Sequence, residues 1–425
     1  MGILLAVIAH IPLLIGFMPG FLFLVHLVKS RDVPLRQITK ICMKGIKRTS
    51  TVITILFLVS FLLPSWFISG TIDELVSISL HVITPQHFVV LSFIIALIFS
   101  MILGTSVGTL SSIGIPIIST AMSIGIPLEM VAGALISGAF VGDRTSPFSS
   151  AHQLLSHTLE IPVKRQFKSM MLTTVLAVGA CLIIYAFLDL RINVSDLPPS
   201  QDSFNWSELS LVKFLPPISL ILLVLFRIKI VYAFICSIIA ASSIAFLEKV
   251  SIGNLLSSYF YGIEGIGGGV SNMYLLLLFL ALAGAYNGLL EEYKVIQPFL
   301  NSWLNSSSNL LGDTWKTIIA TFGITLISAN QTLPIILTGR SFLNHWSTKH
   351  TTGQLARVMG DSTMLFPGMI PWSVLAIMCS TIVGVPFLEY LPYAVFLWIL
   401  PVLTVLSSIA GNSRSQKLRK VSKAS

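Results

Sequence analysis

The chain is poor in charge. Only 10% of its 425 residues are Asp, Glu, Lys or Arg, whereas 54% are apolar, and the mean hydropathy is +0.89. Most of such a chain cannot dissolve in water, which excludes an assembly of soluble domains and points to a protein that crosses a membrane many times. Cysteine is scarce as well: Cys42, Cys181, Cys236 and Cys379 lie far apart, mostly within apolar runs. They show neither zinc-ligand spacing nor a disulfide framework, and are expected to be small core residues. Acidic residues are fewer than basic ones, 17 against 26, for a formal charge of +9. The basic residues fall in a few short loops and a tail and not along one soluble face, so the excess sets topology and implies no nucleic acid partner.

What is abundant is apolar sequence in long runs. At roughly 20 residues per crossing, the length accommodates about ten to twelve transmembrane helices. The expected fold is an all-α polytopic membrane protein, one membrane domain over residues 1–425. The first run, Ile3 to Val28, lacks a basic leader and a small-residue cleavage site and is predicted to be the first transmembrane helix. Further spans are expected at about 51–69, 88–103, 169–188, 211–226, 230–247, 270–290, 315–338, 363–384 and 387–409. Residues 291–313 are left as a short external or re-entrant helix.

Charge orients these spans. The loop Lys29 to Ser50 carries Lys29, Arg31, Arg36, Lys40, Lys44, Lys47 and Arg48 against Asp32 alone, and the tail, 410–425, carries Arg414, Lys417, Arg419, Lys420 and Lys423. Both are predicted to face the cytoplasm, as are Lys164, Arg165 and Lys168. The segment with Asp189, Asp196, Asp202 and Glu208 fits the outer side.

Two regions interrupt the apolar pattern with Gly, Pro, Ser and Thr. The first comprises Gly104 to Thr109, Gly114 to Pro116, and Gly142 to Pro147; the second, Asn330 to Arg340 and Gly360 to Trp372. Irregular backbone at membrane depth is tolerated only where it is buried in protein or lines a watery cavity, and paired interruptions in two halves are the sequence pointer to a transporter's site. Two pseudo-symmetric inverted repeats, about 51–188 and 230–409, are therefore expected, with interrupted helices at the binding site.

The chemistry centres on Asp143. A lone carboxylate at bilayer depth takes up a proton, binds a cation or finds a basic partner. The first two in competition make an antiporter. Ser146, Ser149 and Ser150 supply hard oxygen ligands for a small cation such as Na+ or Li+. The alternative is that Asp143 pairs with Arg144 or another arginine and holds a helix break together. Asp361 poses the same question in the second half, with Arg340 or Arg357 as partners and Ser362, Thr363 or Ser373 as ligands. Asn330 and Gln331 either line a cavity or bond helix to helix, and His152 is a proton relay or an interface residue. Glu129, after Pro127, is expected at a helix start, and Glu264 is left open. Glu389, Trp66, Trp372 and Trp398 read as interface anchors or packing. No cofactor is implied.

The stretches LGTSVGTLSSIGIP and GALISGAFVGDRTSPFSS, followed by ISANQTLPIILTGR, ARVMGDSTMLFPGMIPWSV and GVPFLEYLPYAVF, resemble the NhaC-type Na+/H+ antiporter family of the ion transporter superfamily. PSWFISGTI at 64–72 is similar to that family's second-span ending. The likeness covers about residues 51–405 without the central linker. It implies a secondary transporter of inverted-repeat fold in the cytoplasmic membrane, exchanging Na+ for H+ or coupling ions to small organic acids and amino acids. Gly142, Asp143, Ser146, Pro147 and Ser149 match the family pattern GD(K/R)xSPxSDT, with Arg144 in its basic place. Asn330, Gln331, Gly339 and Arg340 match its NQ…GR element, and Asp361, Pro371 and Trp372 its D…PWN element. The chain departs from the pattern at Ser150, Ala151 and His152, and at Ser373. One carboxylate and one carboxamide are thereby missing, and a Na+ site with fewer such oxygens binds more weakly.

The leading reading is a cation:proton antiporter in which Asp143 is the shared carboxylate, Ser146, Ser149 and Asn330 are ligands, and Asp361 is the second-half partner. The alternative is an H+- or Na+-coupled carrier of a small organic anion or amino acid, gripped by Arg144 or Arg340. An intramembrane hydrolase using Ser146 or Ser149 with His152 or His157 lacks the G-x-S-x-G elbow and any H-E-x-x-H. A channel lacks a repeated selectivity sequence.

Overall fold

The computed structural model describes residues 2–9, 11–75, 85–192, 210–263, 268–303 and 309–421. Asp196, Asp202, Glu208, Glu264 and Lys423 lie outside them. The described residues form an all-α polytopic membrane protein. The first half comprises α1 (Gly2–Ile8), α2 (Leu13–Lys29), α3 (Leu35–Ile68), α4 (Phe88–Leu103), α5 (Ser106–Ile124), α6 (Leu128–Thr145), α7 (Ser150–Thr158) and α8 (Val163–Asp189). After α9 (Leu215–Leu225), α10 (Ile230–Leu247) and α11 (Ile252–Tyr261) come α12 (Val270–Glu292), α13 (Gln297–Trp303), α14 (Leu310–Ser328), α15 (Thr332–Lys349), α16 (Thr352–Gly360), α17 (Val374–Val383), α18 (Phe387–Tyr390) and α19 (Val395–Val421). Among the described residues six helices are long and apolar enough to cross a membrane. They are accompanied by one pair bent by 90° after Val383 and by four shorter apolar helices.

Several boundaries differ from the apolar runs, each for a backbone reason. Ile3 to Val28 is not one helix: Pro12, which has no N–H to donate, begins α2, and α1 folds back so that Ala6 lies against Gly16. The basic stretch Lys29 to Ser50 is mostly helix and not loop. Between Pro34, the N-cap of α3, and Pro64 there is no other proline, so the helix runs through the basic residues into the apolar run. Gly114 to Pro116 does not interrupt α5, because a π-turn over Leu110–Gly114 carries the chain past Pro116. The expected span 315–338 is divided at Ala329, and 363–384 becomes helix only from Val374. Glu129 does sit in the first turn of α6. The four cysteines are free, but Cys236 is exposed on α10 and not in the core. Trp66 and Trp372 are packed, donating to Ser237 Oγ and the Leu326 carbonyl at 2.9 Å each.

Helices in lipid gain little from hydrophobic segregation, so close packing across small residues joins them. Gly138 and Gly142, four apart on α6, face α4: a Cβ on Gly142 would lie 2.0 Å from the Ser100 carbonyl. Ser100 uses that closeness, donating to the Gly138 carbonyl at 2.8 Å and accepting from the Gly142 N–H at 3.0 Å. Gly284 and Gly288 on α12 likewise meet Gly45 on α3. Asp189, at the end of α8, accepts the Val89 and Val90 N–H groups at 2.9 and 3.0 Å and so caps the start of α4.

The two halves are tied at the centre by an ion pair. Arg144, at the end of α6, is fully buried and donates to the equally buried Asp361, the C-cap of α16. The guanidinium also reaches the Gly360 carbonyl at 3.2 Å and the hydroxyls of Thr174 and Thr173 on α8 at 2.6 and 3.2 Å. The second oxygen of Asp361 accepts from Thr404 on α19. All three guanidinium nitrogens and both carboxylate oxygens of this pair thus find partners inside the protein.

Two outcomes follow for folding. Gly142→Val forces α4 and α6 apart and is expected to cost about 3 kcal/mol or more, read as lost monodisperse protein in detergent. Arg144→Met strands a buried carboxylate and is expected to cost about 3–5 kcal/mol, of which Arg144→Met/Asp361→Leu recovers a large part. Thermal unfolding of the purified proteins measures both.

Candidate functional site

Two left-handed residues end helices beside a buried cavity. Gly104, φ +70°, closes α4, and Ala329, φ +53°, closes α14. The following helices then start inside the protein, and each start is capped by its own side chain. Thr105 Oγ1 accepts the Gly108 N–H at 3.4 Å, and Asn330 Oδ1 accepts the Leu333 N–H at 2.9 Å. These starts deliver Thr105, Ser106, Asn330 and Gln331 to a single cavity of about 640 Å3, which Asp143 and Ser150 also line.

Asp143 is bonded only through neutral donors. Gln331 Nε2 donates to its Oδ2 at 3.0 Å, and the start of α5 at Ser106 lies beside the carboxylate. Gln331 is itself held by a second bond, to the Met364 carbonyl at 3.0 Å. The positive end of α5 and the Gln331 amide therefore fix the orientation of the carboxylate without neutralising it. The neighbouring Arg144 points the other way and belongs to Asp361, so the pair Asp143 with Arg144 does not form.

Further cavity wall comes from α3 and α12, and from α17 through Val374, Leu375 and Met378. Gly45, Arg48 and Thr49 of α3 lie beside Gly284, Asn287, Gly288 and Glu291 of α12 on one wall of the space. At its mouth Arg48 and Glu291 form an ion pair, with side chains 53% and 45% exposed.

The other sequence-predicted residues lie around this centre. Ser146 and Ser149 do not line the cavity; their hydroxyls hold the turn between α6 and α7. Ser146 donates to the Met101 carbonyl at 2.7 Å, and Ser149 donates to the Asp143 carbonyl and accepts the His152 N–H at 3.1 Å. His152 is buried behind the turn, with Nδ1 2.7 Å from the Arg144 carbonyl and 2.9 Å from Gln166 Nε2. Asp361 lies away from the cavity, bound to Arg144 and Thr404 and to neither Arg340 nor Arg357. Ser362 and Thr363 turn their hydroxyls onto the carbonyls of Val358 and Met359, at 2.7 and 2.6 Å. Ser373 is the N-cap of α17, with a buried Oγ that has no partner. Arg340 faces a separate cavity of about 340 Å3 with His157 and Glu160.

Sequence reasoning missed Asn287, Glu291 and Arg48. Asn287 did carry a signal, a carboxamide within an apolar span; the other two look like ordinary flanking charges until α3 and α12 are seen side by side. Thr105 and Ser106 fell within a flagged interruption without being named as site residues.

The chain is similar to proteins of one kind along nearly its whole length. It is 27% identical to the Na(+)/H(+) antiporter NhaC of Bacillus subtilis (strain 168), over 95% of this chain and 92% of that protein. It is 24% identical to the Na(+)/H(+) antiporter NhaC of Alkalihalophilus pseudofirmus, over 95% and 90%. The Malate-2H(+)/Na(+)-lactate antiporter of Bacillus subtilis is 25% identical over 86% of this chain and 82% of its own. The family model described as Na+/H+ antiporter family matches residues 154–412, which include Asn330, Gln331 and Asp361 and begin after Asp143. With more than half of its length so matched, the chain belongs to the Na+/H+ antiporter family.

Proposed function

We propose that the protein is a cation:proton antiporter of the cytoplasmic membrane that exchanges Na+ or Li+ for H+ at Asp143. One observation carries this reading: Asp143 lines a cavity, is bonded by neutral donors alone, and has lost its adjacent arginine to Asp361. A carboxylate so placed at bilayer depth is completed by a proton or by a cation, and not by both. Exchange follows from that exclusion. A cation entering the cavity displaces the proton from Asp143, and a proton arriving from the other side displaces the cation.

The ligands of this proposal are Asp143, Asn330, Gln331 and Ser150, with Thr105 and Ser106 from the opposing helix start. Ser146 and Ser149 act on the shape of the breaks, and Ser373 lies outside the cavity lining. His152 relays no proton directly, since its ring lies behind the turn and outside the cavity lining.

Alternating access is proposed to come from two inverted repeats, about 51–188 and 230–409. In support, α4 and α5 meet at Gly104 as α14 and α15 meet at Ala329, each second helix starting on a side-chain cap. The cavity mouth at Arg48 lies in the basic stretch 29–50. By the rule that basic flanks stay inside, this stretch and the tail face the cytoplasm, and the conformation described opens inward.

A second reading rests on the size of the cavity, about 640 Å3, which holds far more than a bare cation. A relative named for malate and lactate exchange points to small organic acids. Neither Arg144 nor Arg340 reaches the cavity, so a carboxylate substrate would have to be met by Arg48.

Everted vesicles from cells without their own antiporters, energised to build a pH gradient and followed with a pH-sensitive dye, decide between the two. Na+ or Li+ is expected to collapse the gradient in wild type, and Asp143→Asn to reduce the response at least about 100-fold, as for removal of an essential group. Full exchange by Asp143→Asn would sink the assignment. Collapse by an organic acid, with no cation acting alone, would replace it with the second reading.

A further inference from the structure

A polar atom inside a membrane protein without a partner calls for an occupant. Asn287 sits in the last two turns of α12, on the face that lines the cavity, and its Oδ1 is buried with no hydrogen-bond partner in the protein. Its bland role would be a bond from α12 to a neighbouring helix, and Oδ1 makes none. Its place is fixed by the flanking glycines. A Cβ on Gly284 would lie 2.6 Å from Thr49 Oγ1, and one on Gly288 3.0 Å from the Ile41 carbonyl, so α12 is held hard against α3. One helical turn beyond Asn287, on the same cavity wall, is Glu291 at the mouth.

We propose that Asn287 Oδ1 is a ligand of the transported cation, facing Asp143 across the cavity and reached past Glu291. The proposal rests on the antiporter reading and deepens it by naming a specificity-determining residue. The donor chemistry also selects the substrate. Carboxamide and hydroxyl oxygens are hard and neutral, and Asp143 adds a single negative charge beyond the Arg48 ion pair, so the set balances a monovalent cation and under-compensates a divalent one. Glu291 attracts cations to the mouth, while Arg48 keeps its carboxylate from holding them there.

The test compares wild type, Asn287→Leu and Asn287→Asp in everted vesicles, after size-exclusion chromatography shows all three folded. Half-saturating Na+ is read from dye recovery across a pH series. Asn287→Leu, close in size and without the oxygen, is expected to raise half-saturating Na+ about tenfold, the effect of one lost neutral ligand. Asn287→Asp keeps an oxygen in place and is expected to leave it at or below the wild-type value and to make exchange sensitive to block by Ca2+. Leu within twofold of wild type overturns the proposal, as does an equal rise in Leu and Asp, which marks a packing effect. A wild type that answers Na+ or Li+ while Asn287→Leu matches it overturns this inference alone. A wild type that answers no cation overturns the antiporter reading and this inference with it.

Discussion

The bond between Arg144 and Asp361 is the constraint on which the site depends. Two charges inside a membrane protein are tolerated only when their hydrogen-bonding capacity is met, and here two threonines of α8, a carbonyl of α16 and a threonine of α19 complete it. Successive residues of an α-helix point about 100° apart. With Arg144 turned toward the second half, Asp143 on the same turn must face elsewhere, and elsewhere is the cavity. The pair therefore does two things at once. It joins the halves, and it removes the basic group that would otherwise neutralise Asp143.

Around this axis side chains close several of the helix breaks. The turn between α6 and α7 is closed by Ser146 and Ser149, the start of α5 by Thr105, and the start of α15 by Asn330. Ala329 adopts a left-handed conformation that costs an L-residue roughly 1–2 kcal/mol, and its carbonyl accepts the Val374 N–H at 2.9 Å, binding one break to the next. The hydroxyls that look like cation ligands in sequence are thus largely taken up in holding the shape of the breaks. The oxygens that face the cavity belong instead to Asp143, Thr105, Ser106 and Ser150, and to the carboxamides Asn330 and Gln331 at the start of α15 and Asn287 on α12.

The packing of α3 on α12 completes the site from outside the interrupted elements. Both helices are continuous, and glycines allow their backbones to touch, which sets a rigid wall with Asn287 and the Arg48-Glu291 pair opposite the interrupted helices. A rigid wall facing elements built around breaks is a fitting geometry for a carrier, in which one part holds position while another tilts.

Composition alone determined that this is an all-α membrane protein, because a chain with so little charge has no other solvent. The Gly, Pro and hydroxyl interruptions at Gly104, Gly142 and Asn330 marked the breaks that the fold gathers round one cavity, since membrane depth forbids irregular backbone that is not buried in protein or lining a cavity. Asp143, Asn330 and Gln331 were legible for the same reason. The partner of Arg144 was not: Asp361 is 217 residues away in sequence, and nothing local distinguishes it from Asp143 as a candidate ligand. Nor could sequence show that the basic stretch after Lys29 is helix, or that Asn287 meets the cavity. Those outcomes depend on which helix faces which, and helix faces in lipid are chosen by close packing of small residues, a three-dimensional fit that no single segment encodes.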